Sequence, residues 1–139
     1  MTYDLDRFVA AQNSDGTYRQ ALAELRNGQK TGHWMWFVFP QLAGLGRSAM
    51  AQAYAIADLD EARAYLDHPL LGPRLVTAAE SVLTHRDRTA EQILGGIDAM
   101  KLRSSMTLFA QTDASQTVFR SVLDQFFDGV EDPVTLDLI

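Results

Sequence analysis

Apolar residues recur at three- and four-residue intervals along most of the chain, and this periodicity constrains the fold more than any other feature. Tyr18, Ala21, Leu22 and Leu25 fall at i, i+3, i+4 and i+7 over residues 17–27, one face of a helix that Gly28 stops. Residues 5–13 predict a short opening helix. Ser48 is a good N-cap for residues 48–57, where Met50, Ala53, Tyr54 and Ala57 share a stripe. Ala62, Tyr65 and Leu66 repeat the pattern over 60–67. The segment HPLLGP, residues 68–73, then breaks the chain, and Pro73 can stand in the first turn of a helix running to about His85. A short helix follows, opened by Thr89 and closed by Gly95 and Gly96. Two longer helices are predicted at 97–110 and 116–127, and the final DPVTLDLI reads as extended or irregular. Only residues 33–40 are compatible with a strand, and because both alternating faces there are apolar, helix and strand remain open. The expected fold is mostly or all α, a single irregular helical bundle over residues 1–139.

The composition removes several classes of chemistry. The chain has no cysteine, which excludes disulfides, thiolate nucleophiles and cysteine metal sites. His33, His68 and His85 lie far apart in sequence, so neither a metal nor a cofactor is expected. The charged N-terminus does not read as a signal peptide, and no apolar run approaches the roughly 20 residues of a membrane span. The expectation is a cytoplasmic protein without membrane contact. With 18 acids against 12 bases and no basic cluster, general nucleic-acid binding is not expected. Six of the acids fall in residues 113–139, which read as a solvated face. Conversely, no Asp or Glu occurs between Thr31 and Ala57, where Arg47 is the only full charge, so this window will not repel an anion.

Three segments carry candidate site residues. In HWMWFVFP the aromatic residues suit a core, while Trp36 and Phe39 could equally stack on a flat ligand ring. His33 could serve as a general base or be structural, and Gln41 could bond a ligand or cap a turn. In GLGRS, the backbone at Gly46, the fork of Arg47 and Ser48 could hold a phosphate or carboxylate at a helix start, or form only a capped tight turn. The third segment is GGIDAMKLRSSMTLFAQ. On an ideal wheel Asp98, Lys101 and Ser105 lie within about 60° of one another inside an apolar stripe, with Arg103 and Thr107 on the opposite, polar side. Charges in such a stripe are paired or functional. Asp98 and Lys101 could form an i, i+3 ion pair, or the floor of a pocket in which Lys101 meets an anion. Glu24, Lys30 and His85 read as surface residues, and His68 as a residue stabilising a helix C-terminus.

The blocks HWMWFVFPQLAGLGRS, YAIADLDEARAYLDHPLLGPRL and IDAMKLRSSMTLF together resemble the bacterial domain-of-unknown-function family 1810, from about Phe8 to Leu136. The resemblance implies a small, mostly helical cytoplasmic protein without an assigned activity. Members are sometimes labelled calpastatin, but no protease-inhibitor repeat occurs in this chain. A weaker likeness, in the spacing of Tyr, Glu-Ala and Leu-Gly, is to a helical family acting on ADP-ribose derivatives, although none of that family's catalytic residues maps onto this sequence. Two functions are therefore expected as alternatives. One is a pocket for a small anionic, nucleotide- or ADP-ribose-like ligand, with Lys101, Asp98 and His33 available for metal-independent hydrolysis and Trp36, Phe39, Gln41, Gly46, Arg47, Ser48 and Ser105 for binding. The other is a non-catalytic helical module for a protein partner or a second copy of the chain.

Overall fold

The computed structural model describes residues 3–139, and the periodic segments are helices close to the predicted bounds. They are α1 (Asp6–Asn13), α2 (Thr17–Asn27), α3 (Met35–Val38), α4 (Ala49–Ala53) and α5 (Leu59–Asp67). The second half holds α6 (Leu71–Leu83), α7 (Ala90–Leu94), α8 (Gly96–Ala110), α9 (Val118–Phe127) and α10 (Pro133–Leu138). Among the described residues no strand is formed; the one isolated bridge, Leu42 with Ile56, closes the base of the loop that carries α4. Among the described residues no helix is long and apolar enough to cross a membrane.

The centre is α8, which packs on α7 and α9 and reaches α5 and α10, while α6 packs on α2, α5 and α9. A run of aromatic contacts ties these layers together. Phe8 meets Tyr65 edge-on at 5.0 Å, Tyr65 meets Phe109 at 5.4 Å, and Phe109 meets Phe119 at 5.7 Å. Gln12 is the polar member of this core, 1% exposed. Its amide nitrogen donates to the Phe37 carbonyl at 2.7 Å and to the Tyr65 hydroxyl at 3.1 Å, which fixes its oxygen toward Arg74, whose Nη1 donates to it at 3.2 Å. Buried amides need such partners.

The corner between α5 and α6 depends on one glycine. A Cβ on Gly72 would stand 1.9 Å from the Leu66 carbonyl oxygen, so only a residue without a side chain lets the backbones approach this closely. His68 works at the same corner. Its Nδ1 accepts the N–H groups of Leu70 and Leu71 at 3.1 and 3.2 Å, so the ring caps the start of α6 rather than attending the end of α5.

Residues 35–38, open between helix and strand in the sequence, are helical. Three expectations are corrected. The C-terminal segment is the helix α10, opened by Asp132, whose carboxylate accepts from the Thr135 N–H at 3.2 Å and from the Ser104 hydroxyl at 3.0 Å. It covers the side of α8 that reads as polar. Arg103 donates there to the carbonyls of Val130 and Glu131, and the fully buried Thr107 hydroxyl accepts the Asp132 N–H at 2.9 Å. Part of the acidic C-terminal stretch is thus docked, not a free solvated face. Finally, His85 is half-buried and its Nε2 donates to the Leu25 carbonyl at 2.6 Å. A Cβ on Gly28 would meet that ring at 3.0 Å, one reason α2 ends on glycine.

Candidate functional site

The most strongly constrained polar assembly lies where the segment after α2 crosses α7 and α8. Gly28, with φ of 76°, ends α2, and the Lys30 N–H donates to the Ile93 carbonyl at 2.7 Å, stitching the crossing segment to α7. The chain then wraps around the carboxylate of Glu24. Its Oε1 accepts the N–H groups of Thr31 (2.7 Å) and Gly32 (2.9 Å) and the indole N–H of Trp34 (2.9 Å), while Oε2 accepts from the Gln20 amide at 3.0 Å. Burial pushes the Glu24 carboxyl up, but the donors from Gly32, Thr31, Trp34 and Gln20 together outweigh it and hold the group at about 2. Glu24 is therefore a buried anchor and not a surface residue; it fixes the indole of Trp34, which is 1% exposed.

On this anchored turn stands Lys30, whose side chain is only 9% exposed. Its Nζ donates to the Gly32 carbonyl at 2.6 Å, lies 2.8 Å from Asp98 Oδ2 and sits 5.2 Å from the Trp34 ring centroid. The other oxygen of Asp98 faces Lys101 Nζ at 3.6 Å, and that amine lies 5.2 Å from the Trp36 ring centroid. The result is a strip of alternating groups: Trp34 ring, Lys30 ammonium, Asp98 carboxylate, Lys101 ammonium, Trp36 ring. Two cations share Asp98, and the ionised Glu24 carboxylate lies beneath on the Trp34 indole N–H, so the charges of the assembly balance. Both amines stand over indole faces, an arrangement that favours a cation. Asp98 also lies in the first turn of α8, where a carboxylate is favoured. A shallow hollow of about 330 Å³ opens beside it, lined by Leu94, Gly95, Gly96, Ile97 and Asp98.

Of the residues singled out in the sequence, the structure brings Trp36, Asp98 and Lys101 together. The others lie apart from the strip or beneath it. Phe39 is fully buried against Trp34, with ring centroids 6.4 Å apart. Ser105 is fully buried in the core with no hydrogen-bond partner for its hydroxyl. His33 is exposed. Gln41 is half-buried, and its carbonyl accepts the Ile56 N–H at 2.8 Å. Ser48 caps α4 through the Ala51 N–H at 3.1 Å, and the side chain of Arg47 is exposed without an ion pair among the described residues. A Cβ on Gly46 would come within 2.4 Å of the Ala51 Cβ, so this glycine is explained by packing. The same turn leans away toward α10, where a Cβ on Gly44 would touch Leu138. Glu24 and Lys30 are the members that sequence reasoning missed. The available signal was a carboxylate one turn before a helix-ending glycine, followed by an indole that needs an acceptor.

The whole chain can be compared with known proteins. A family model described as "Protein of unknown function (DUF1810)" matches residues 2–139. The chain belongs to the DUF1810 family. Among solved structures it is similar to the conserved hypothetical protein Rv1873 from Mycobacterium tuberculosis, with 49% sequence identity and a TM-score of 0.96. That similarity covers 99% of this chain and 96% of the mycobacterial one. A search of curated proteins gives no match. The DUF1810 fold is thus the all-α arrangement described above, and neither comparison attaches an activity to it.

Proposed function

We propose that this DUF1810 protein binds a small anionic ligand carrying a flat ring, of nucleotide or ADP-ribose type, at the Trp36–Lys101–Asp98–Lys30 strip. The observation that carries this reading is the state of Lys101. Its ammonium is held over the Trp36 ring, its only ion-pair partner among the described residues is Asp98 at 3.6 Å, and its side chain is 24% exposed. An amine so placed has donors to spare for an incoming phosphate or carboxylate. Ile97, one helical turn earlier on the same face of α8, is 75% exposed and offers an apolar surface to a ring. The geometry supports binding better than metal-independent hydrolysis, because both oxygens of Asp98 already face ammonium groups and make a poor general base.

The test is a thermal-shift and tryptophan-fluorescence titration with ADP-ribose, AMP and ribose 5-phosphate. A ligand present at one hundred times its dissociation constant stabilises a fold by about 2.7 kcal/mol. Lys101→Met keeps the stem and removes the charge, and should weaken binding about tenfold with an unchanged melting temperature for the free protein. No stabilisation by any of the three ligands, or an equal response in Lys101→Met, overturns the reading.

A second reading, a helical module for a protein partner or a second copy, draws on the exposed Val134, Leu136, Leu138 and Ile139 around α10. Concentration-dependent light scattering separates self-association from a monomer.

A further inference from the structure

Between α1, α2 and α6 lies an open cleft of about 390 Å³ that shares no lining residue with the strip around Lys101. Its size falls within the usual range for small-molecule sites. The residues lining it include Gln12, Asn13, Tyr18, Arg19 and Arg74, with no Asp or Glu among them. Two arginines therefore line one cavity without a carboxylate residue in its walls. Neither forms an ion pair among the described residues. Asp15, on the adjoining turn, is exposed and makes no ion pair either.

Arg74 is the better defined of the two. Its guanidinium stacks on the Tyr18 ring at 4.8 Å, and the Tyr18 hydroxyl donates back to the Arg74 carbonyl at 2.7 Å. Its one side-chain hydrogen bond among the described residues goes from Nη1 to Gln12 Oε1, a neutral acceptor. That oxygen is presented because the nitrogen of the same buried amide is committed to Phe37 and Tyr65. So a buried, fully oriented side chain holds the guanidinium in place without neutralising it. A guanidinium has five N–H donors in a rigid fork. Here most of them remain for a ligand, and pre-organisation by stacking lowers the entropy lost on binding. Arg19 adds a second fork and Asn13 an amide.

We propose that this cleft is a second binding site, taking the phosphomonoester group of a small polar molecule such as a sugar phosphate between Arg19 and Arg74. Two forks suit a dianion with three terminal oxygens better than a monoanionic carboxylate. The mixed walls, with Leu22 and Tyr18 beside Gln12 and Asn13, suit a body that carries hydroxyl groups on a hydrocarbon frame, as a sugar does. The site does not depend on the strip around Lys101.

The test is a titration of the ¹⁵N-labelled full chain with inorganic phosphate, glucose 6-phosphate, glucose and a phosphoserine peptide, at low and constant ionic strength. Saturable shifts of the amides around residues 13–19 and of the Arg74 Nε–H are expected with phosphate and the sugar phosphate, and none with glucose. Arg74→Gln should weaken binding at least tenfold, and Lys101→Met should leave it unchanged. Arg19→Gln provides a second variant at an exposed residue whose side chain makes no hydrogen bond among the described residues, so loss of binding there is read in an intact fold. The proposal is overturned if the shifts do not saturate, if chloride reproduces them, or if both arginine variants bind as the parent does. It is also overturned if the peptide binds more than tenfold tighter than glucose 6-phosphate, which would make the cleft a phosphopeptide reader.

Discussion

Replacing Glu24 by glutamine tests the anchor on which the Lys30 turn and Trp34 depend. The side chain keeps its shape, and an amide oxygen can still face the donors of Thr31, Gly32 and Trp34. The charge is lost, and the acceptor for the Gln20 amide becomes a donor, which a flip of the Gln20 side chain accommodates. The folded carboxyl sits at about 2 against an ordinary 4.5. At roughly 1.4 kcal/mol per tenfold, this sets a ceiling of about 3 kcal/mol for the contribution of the charge at neutral pH. Because the folded value lies below the unfolded one, the contribution is complete above about pH 5 and is lost as pH falls through the folded value. By the same linkage it shrinks to about 1.4 kcal/mol at pH 3 and nearly vanishes at pH 2. Urea unfolding of the parent and Glu24→Gln at several pH values between 7 and 3 measures it, with m required to stay constant. Other carboxylates titrate in both proteins and cancel in the difference. The expected gap is about 2–3 kcal/mol at pH 7, narrowing by about half at pH 3. A gap below about 0.5 kcal/mol at pH 7, or one that stays constant as pH falls, refutes the reasoning.

Three further outcomes are expected. Gly72→Ala drives a methyl group into the Leu66 carbonyl and should cost about 3 kcal/mol or more, seen as a lower thermal midpoint. Gln12→Leu leaves the Phe37 carbonyl with only the long 3.4 Å bond from the Tyr65 hydroxyl and removes the acceptor of one Arg74 donor, and should cost about 1–3 kcal/mol in urea unfolding, a result an equal stability would contradict. Asp132→Ala removes the cap of α10 and should cost about 1–2 kcal/mol, with faster hydrogen exchange in residues 134–138 and unchanged exchange in the buried part of α8. Burial pushes the Asp132 carboxyl up, but the Thr135 and Ser104 hydroxyls, the Thr135 N–H and the charge of Arg103 hold it below its usual range. In the parent, α10 should therefore loosen as pH falls through that lowered value.

The helices were legible because their signals are local. Thr89 with Gln92 forms a full capping box, Ser48 and Asp58 cap α4 and α5, and Gly28 ends α2 where the apolar stripe runs out. Residues 33–40 were ambiguous because a run apolar from Trp34 to Pro40 has no polar face to reveal its period. In α8 the wheel correctly set Asp98 beside Lys101, an i, i+3 contact. It could not reveal that Lys30 makes the shorter pair with Asp98, nor that the C-terminal segment covers Arg103 and Thr107, because both are contacts between residues distant in sequence. Glu24 was misread for the same reason: its four donors include a turn whose path no propensity specifies. The arginine cleft was invisible because Arg19 and Arg74 come from different helices, and only the packing of α2 on α6 sets them around one space.

The contact of Gly72 with Leu66 also fixes a length. Surface connections between helices commonly accept extra residues, since a longer loop adds little entropy. This one does not have that freedom. Adding or deleting a residue between Leu66 and Gly72 would bring a side chain to the point of contact, or shift the start of α6 by about a third of a turn. Homologous chains with this architecture should accordingly vary in the loop around α4 and in the segment between α8 and α9, while the step from α5 to α6 keeps a constant residue count.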